Sequence, residues 1–366
     1  MADKRLAERS MTREELEGIH IDPPDKLLQQ AVKENWDQIA KPLDGFGEFE
    51  AIISRIGAMA GTVQMDLSKK AVIIMCSDNG IVEEKVSQSG QEVTAIVAEN
   101  LVKGAASVCK IAKKAGVDLL PVDIGINQRG SIPGLLSYKI APGTKNFKRE
   151  PAMSEKEALK AIETGIYIAS ECAERGYRIL ATGEMGIGNT ATSSAMAAAM
   201  LPCGVEEVTG RGAGLSAGGV EHKCRVIKEA LEQYQLHSQD TLRILATVGG
   251  FDIAGLTGVF IGGAMHRIPV VIDGVISAVA ALTAQRLVPG TRDYMIASHK
   301  SREPGARKIL EELGLHPVLD ASLALGEGTG AVMMLALLDM VLTVYQNRTT
   351  FEDYRMEQYA RYPVKD

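Results

Sequence analysis

RILATGEMGIGNTATSSA (178–195) holds one complete structural unit in eighteen residues. The apolar run RILAT reads as a strand buried on both faces, the glycines that follow end it, and the Thr/Ser/Ala stretch opens a helix. Strand, glycine loop and helix start together form the repeating unit of a parallel α/β sheet. The same letters suit an anion. Gly186 and Gly188 let a ligand approach the backbone, while Asn189, Thr190 and Thr192 are placed to cap the helix and to present hydroxyls beside amides at its positive end. An ordinary strand-to-helix turn would use these glycines for geometry alone.

Outward from this unit the pattern repeats. Six runs read as strands: AVIIMCS (71–77), DLLPVDI (118–124), RILATG (178–183), RILATV (243–248), PVVID (269–273) and DYMIAS (293–298). Each runs into a polar or Gly-rich loop, namely SDNG, DIGI, GEMGIGNT, GGFD, DGV and SHKS. In a parallel sheet these loops share the carboxyl edge, where ligands bind. The first seventy residues read as helical, broken at Pro23-Pro24 and in KPLDGFGEFE (41–50). A Met- and Ala-rich helix follows GEGTG (326–330), and the charged, Tyr-rich tail 347–366 reads as a last helix or a frayed end. The expected division is an N-terminal helical part (1–69), an α/β catalytic body (70–330) and C-terminal helices (331–366) that complete a small domain.

Composition narrows the function. Hydrophobic residues are 46% and charged residues 23%, the usage of a folded globular protein. The net charge is −6, so no global positive field draws nucleic acid or an anionic membrane. The five cysteines are scattered, without CxxC or Cys/His pairs at metal-ligand spacing, and read as reduced thiols. The charged start MADKRLAERSMTREELEG lacks the apolar core of a signal peptide, and the longest apolar tract, 331–345, is interrupted by Asp339; a soluble, cytoplasmic protein is expected.

Rival motifs fit poorly. Gly186 to Ala191 satisfies GxGxx[G/A], but no strand-ending acid follows about 20 residues on, as a dinucleotide site requires. A P-loop would need GK[ST], which is absent. PVVIDGVISA (269–278) resembles the apolar strand and acidic turn of phosphoribosyl-pyrophosphate-dependent transferases, with Gly274 in place of their second acid. Asp273 then reads either as a strand-end group that reaches a ligand or as a helix N-cap. In LGEGTGA (325–331), Glu327 stands between glycines before an apolar helix. An apolar surround raises a carboxyl pKa toward that of a general base, whereas a solvent-exposed loop would leave it an ordinary acid. The six histidines show no HExxH or paired spacing, although His299 falls at a strand's carboxyl end.

Taken in order, GEMGIGNTATSSA, VGGFDIAGLTGVFIGGA (248–264), RIPVVIDG (267–274) and LGEGTGA, with VDIGI (122–126), TGRGAGL (209–215) and REPGAR (302–307), resemble the nicotinate-nucleotide:dimethylbenzimidazole phosphoribosyltransferase family over roughly residues 40–345. The resemblance implies a Rossmann-like large domain, a small domain from the terminal helices, and a homodimer. It implies transfer of phosphoribose from nicotinate mononucleotide to the lower-ligand base of a cobamide, without metal or cofactor. By the same resemblance Glu327 is the general base. Gly186, Asn189, Thr190, Lys223 and Ser301 bind phosphate, with Gly188, Gly328, Glu184, Asp252 and Asp273 around the nucleotide. Ser89, Met185 and Val97 touch the acceptor base.

Three positions depart from the family pattern. Asp78-Asn79-Gly80 replaces Asp-His-Gly, Asn189-Thr190-Ala191 replaces Asn-Thr-Thr, and Val97 replaces a base-pocket glutamine. An apolar residue at 97 loosens the demand for a polar base and suits a phenolic acceptor. A nicotinamide-dependent oxidoreductase and a non-catalytic nucleotide-binding module are the other classes the α/β pattern admits.

Overall fold

In the computed structural model, residues 11–236 and 240–362 are described; the start of the charged N-terminus, His237 and the last four residues of the tail lie outside them. Eight strands occur among these residues: β1 (Lys70–Ser77), β2 (Asp118–Gly125), β3 (Leu136–Ser137), β4 (Ile179–Met185), β5 (Val270–Ile272), β6 (Met295–Ala297), β7 (His299–Ser301) and β8 (Leu319–Leu323). The first six form one sheet in the order β3-β2-β1-β4-β5-β6, and every pair is parallel. This is the Rossmann-like order. The chain winds outward from β1 to β3, then crosses to β4 and winds the other way, so the strand order reverses between β1 and β4. The carboxyl ends of those two strands therefore open a crevice, and β4 is the strand of the RILATG unit.

Both sheet faces are covered. On one, the helices Glu155–Glu174 and Phe251–Met265 cross closely at Gly165 and Gly258; a Cβ on either would lie 1.9 Å from a backbone carbonyl oxygen of the other helix. On the other face, the helices Lys26–Asp37, Glu48–Ala60 and Thr329–Gln346 share a core with Val72, Ile74 and Val271 of the sheet. Trp36 packs at a tilt against Tyr345 there, ring centroids 5.0 Å apart, and Ile39 bridges to Thr350. The helix Thr329–Gln346 is long and apolar enough to cross a membrane by length and composition, yet Val332, Leu335, Leu338 and Leu342 are buried in this core.

One expected strand is a helix. Residues 243–247 repeat the pentapeptide RILAT of 178–182, but they lie in the helix Thr241–Val248. Asp240 caps it by accepting from the amides of Leu242 and Arg243. The difference is context. At 178–182 the run enters between two parallel neighbours, β1 and β5, whereas at 243–247 a capping Asp precedes it and a helix follows after Gly250. The 347–362 tail forms turns rather than a last helix, and Arg361 pins it to Asp37 and Asp44. The short β3 and the pair β7–β8 were not legible as strands.

Candidate active site

At the carboxyl edge, between β4 and the ends of β5 and β6, lies a small open cleft of about 170 Å³. Glu184, Met185, Gly186, Ile187, Asn189 and Thr190 form one wall. Asp273, His299, Ser301 and Gly326-Glu327 form the other.

The glycine loop is tighter than ligand approach alone demands. A Cβ on Gly186 would lie 2.4 Å from the Ser77 carbonyl oxygen, so this glycine first lets the loop pack on β1. Gly188, at φ +95°, is the N-cap of the helix Asn189–Met200, and no side chain caps it. The capping expected of Asn189 and Thr192 is therefore replaced. Thr192 donates to the Asn189 carbonyl, and the Asn189 amide bridges two buried carboxyls, those of Glu184 and Asp252. Of the first-turn amides, those of Asn189, Ala191 and Thr192 go to the carbonyls of Gly186 and Gly188, which leaves the Thr190 amide at the helix's positive end for an anion.

Burial and like charge raise these acids. Glu184 is pushed up to about 8 by burial and by the Asp252 charge, against the Asn189 hydrogen bond. Asp252 is pushed up to about 6 by burial. Asp273 is also raised by burial, and its two oxygens are engaged: Oδ2 accepts from the Gly328 amide at 3.1 Å and Oδ1 from the Ala331 amide at 3.0 Å. The N-cap reading of Asp273 thus applies to a distant helix, Thr329–Gln346, rather than to the one that follows it. The carboxylate clamps the turn that carries Glu327.

That turn is left-handed for three residues: Gly326 at φ +84°, Glu327 at +60° and Gly328 at +86°. Glutamate in this region is strained by about 1 kcal/mol or more, and such strain persists where the surroundings fix it. Here the turn packs on Gly183 of β4, and Asp273 holds its amide. Glu327 is half-buried; burial raises its pKa, the Val108 backbone N–H opposes the rise, and Oε2 has no partner among the described residues. That oxygen is sealed from solvent beside the cleft, and a carboxylate with a raised pKa and a buried, unused oxygen has the chemistry of a proton acceptor.

A buried cation completes the site. Lys223 is fully buried and donates to Thr190 Oγ1 at 2.8 Å and to the Gly210 carbonyl at 3.4 Å, and burial pushes its pKa down to about 8.

The sequence profile of the DBI_PRT phosphoribosyltransferase family matches residues 21–355. The nicotinate-nucleotide–dimethylbenzimidazole phosphoribosyltransferase of Acetivibrio thermocellus is 44% identical over 90% of this chain and 93% of its own. This chain belongs to that family. The enzyme of the same name from Clostridium perfringens (strain ATCC 13124) is 41% identical over 97% of this chain and 98% of its own. The crystal structure of CobT from Thermus thermophilus superposes with a TM-score of 0.86 at 36% identity, covering 91% of this chain and all of that one.

Against the residues that the family resemblance singles out, the structure gathers Glu184, Met185, Gly186, Asn189, Thr190, Asp273, Ser301 and Glu327 on the cleft wall. Gly188, Asp252, Lys223 and Gly328 stand directly behind it, against Asn79, Asn189, Thr190 and Gly183 respectively. Ser89 and Val97 are not cleft-lining. Ser89 sits in the loop before the helix Glu92–Val102, its amide on Ser87 Oγ, and Val97 packs half-buried against the cluster that contains Met185. Sequence reasoning passed over Ile187, Ile276 and Leu325, which line the cleft, and Glu303, which accepts from the Gly212 amide at 3.0 Å. The quoted segments TGRGAGL and REPGAR contain Gly212 and Glu303, but no spacing in either marks the pairing.

Proposed function

We propose that this chain transfers phosphoribose from nicotinate mononucleotide to 5,6-dimethylbenzimidazole or a related cobamide lower-ligand base, giving an α-ribotide and nicotinate. The observation that carries the reading is Glu327, held on a strained turn at the wall of the cleft, with Thr190 on the opposite wall and the buried Lys223 behind it. In the nucleotide the pyridinium nitrogen takes the C1′–N electron pair and leaves as a neutral ring. The acceptor nitrogen attacks C1′ from the other face, which inverts it to α. Attack makes the acceptor ring cationic and its other N–H acidic, and Glu327 takes that proton.

Thr190, Ser301, the open end of the helix Asn189–Met200 and Lys223 are the proposed phosphate seat. Lys223 has Glu303 as a nearby charge but no carboxylate within 4 Å among the described residues, so an anion at Thr190 would complete the pairing of its ammonium. We therefore expect Lys223→Met to weaken nicotinate mononucleotide about 10–100-fold in calorimetry while base binding is unchanged. Equal nucleotide affinity would place the phosphate elsewhere.

The acceptor side is apolar: Met185, Ile187 and Leu325 line it, and Val97 packs against the hydrophobic cluster to which Met185 belongs. This favours a permissive pocket, a phenolic acceptor included. Val97→Gln is expected to narrow the range of acceptors without changing nucleotide affinity; identical kcat/KM ratios for paired acceptors would remove residue 97 from specificity. The reading as a whole is tested by incubating the protein with nicotinate mononucleotide and a panel of benzimidazoles, purines and phenols, with mass spectrometry for ribotides. We also infer a homodimer, supported by the exposed Met333 and Met340 on one helix.

A further inference from the structure

His299 opens β7, is buried, and lines the cleft beside Asp273 and Ser301. Its hydrogen bonds fix which nitrogen carries the proton. The Ser298 hydroxyl donates to the Ile272 carbonyl at 2.6 Å, which uses its single proton. The same oxygen lies 2.9 Å from His299 Nδ1, so Nδ1 must be the donor in that pair. The Nδ1–Cε1 edge packs on Gly330, where a Cβ would lie 2.1 Å from Nδ1. Nε2 has no hydrogen-bond partner among the described residues, and it is not one of the polar atoms sealed from solvent. It is left at the cleft wall. Burial lowers the ring's pKa against the pull of Asp273, which keeps it neutral and leaves Nε2 a lone-pair acceptor.

A lone pair is not satisfied by a dianionic phosphate or an ionised carboxylate, which have no proton to give. The neighbouring Asp273 is already spent on the Gly328 and Ala331 amides. A mononucleotide with its phosphate at Thr190 and Ser301 and its C1′ near Glu327 spans the wall between them with its ribose. We propose that His299 is a ribose-binding residue of the cleft, its Nε2 accepting a hydrogen bond from a ribose hydroxyl of the phosphoribosyl donor. The proposal rests on the transferase reading above.

Calorimetry with nicotinate mononucleotide and its 2′-deoxy and 3′-deoxy analogues tests it on the full chain. The parent is expected to bind one deoxy analogue about 10–100-fold more weakly than the mononucleotide. His299→Asn, whose amide still reaches Ser298 Oγ but ends short of the Nε2 position, should lose that ratio. His299→Gln, which returns an acceptor there, should recover part of it. Equal binding of all three ligands by the parent, a measurement that needs no variant to fold, overturns the proposal; so does an unchanged ratio in folded His299→Asn. A parent that binds the mononucleotide but yields no ribotide with any base refutes the transferase reading, while the deoxy ratio still decides His299. A parent that does not bind the mononucleotide overturns both.

Discussion

Glu327→Gln is expected to bind nicotinate mononucleotide as tightly as the parent and to lose turnover by about 10²–10⁴-fold. The amide keeps the shape and the left-handed backbone of the turn at 326–328 but cannot take a proton. Binding and chemistry therefore separate, and calorimetry beside single-turnover kinetics reads them apart. The pH profile gives the sign. Burial raises the Glu327 pKa above the usual 4.5, and only its ionised form is a base, so the parent's rate falls as pH falls through that raised value. The variant, with nothing to titrate at this position, should lack that acid limb. Turnover within about threefold of the parent would remove Glu327 from the proton transfer.

The sheet was legible wherever a β-branched run met a glycine loop, because a strand buried on both faces needs continuous apolar residues and its carboxyl end needs a turn. The two RILAT segments mark where that reasoning stops. Five identical residues form β4 in one place and part of the helix Thr241–Val248 in the other, decided by neighbouring strands and by the Asp240 cap. The loop Gly249-Gly250 and Asp252 still arrive at the site, carried by helix ends rather than by a strand. Site residues were legible as letters but not as partnerships. Nothing in the spacing says that Asp273 caps a helix 55 residues later in the chain, or that one Asn189 amide bridges two acids. His299 gave only its position at a strand end, since the contacts that orient its ring come from Ser298 at the end of β6 and from Gly330 in the first turn of the helix Thr329–Gln346.

Glu184→Gln is expected to remove most of the loss of stability that the ligand-free protein shows as pH rises. Glu184 is pushed up to about 8 by burial and by Asp252, against 4.5 in an unfolded chain. Between those values the folded protein keeps a proton that the unfolded chain has released. The unfolding free energy must then fall as pH rises through this window; the stabilisation is complete below about 4.5 and gone above about 8. The full window is worth at most about 5 kcal/mol from this one group. Gln stays neutral and can still accept from Asn189, so the variant should gain on the parent steadily with pH and exceed it near pH 9. Asp252, raised to about 6, adds a smaller decline that both proteins share at the lower end. Denaturant titrations of parent and variant at pH 5 and pH 9 measure the difference. In the proposed complex the donor's pyridinium would sit at the wall that carries Glu184, and its positive charge would favour the ionised carboxylate, so nucleotide binding by the parent near pH 7 should release protons, and the binding enthalpy should vary with the ionisation enthalpy of the buffer. Parallel pH-stability curves for the two proteins would mean that Glu184 is ionised in the folded state and that Asn189 alone balances the cluster.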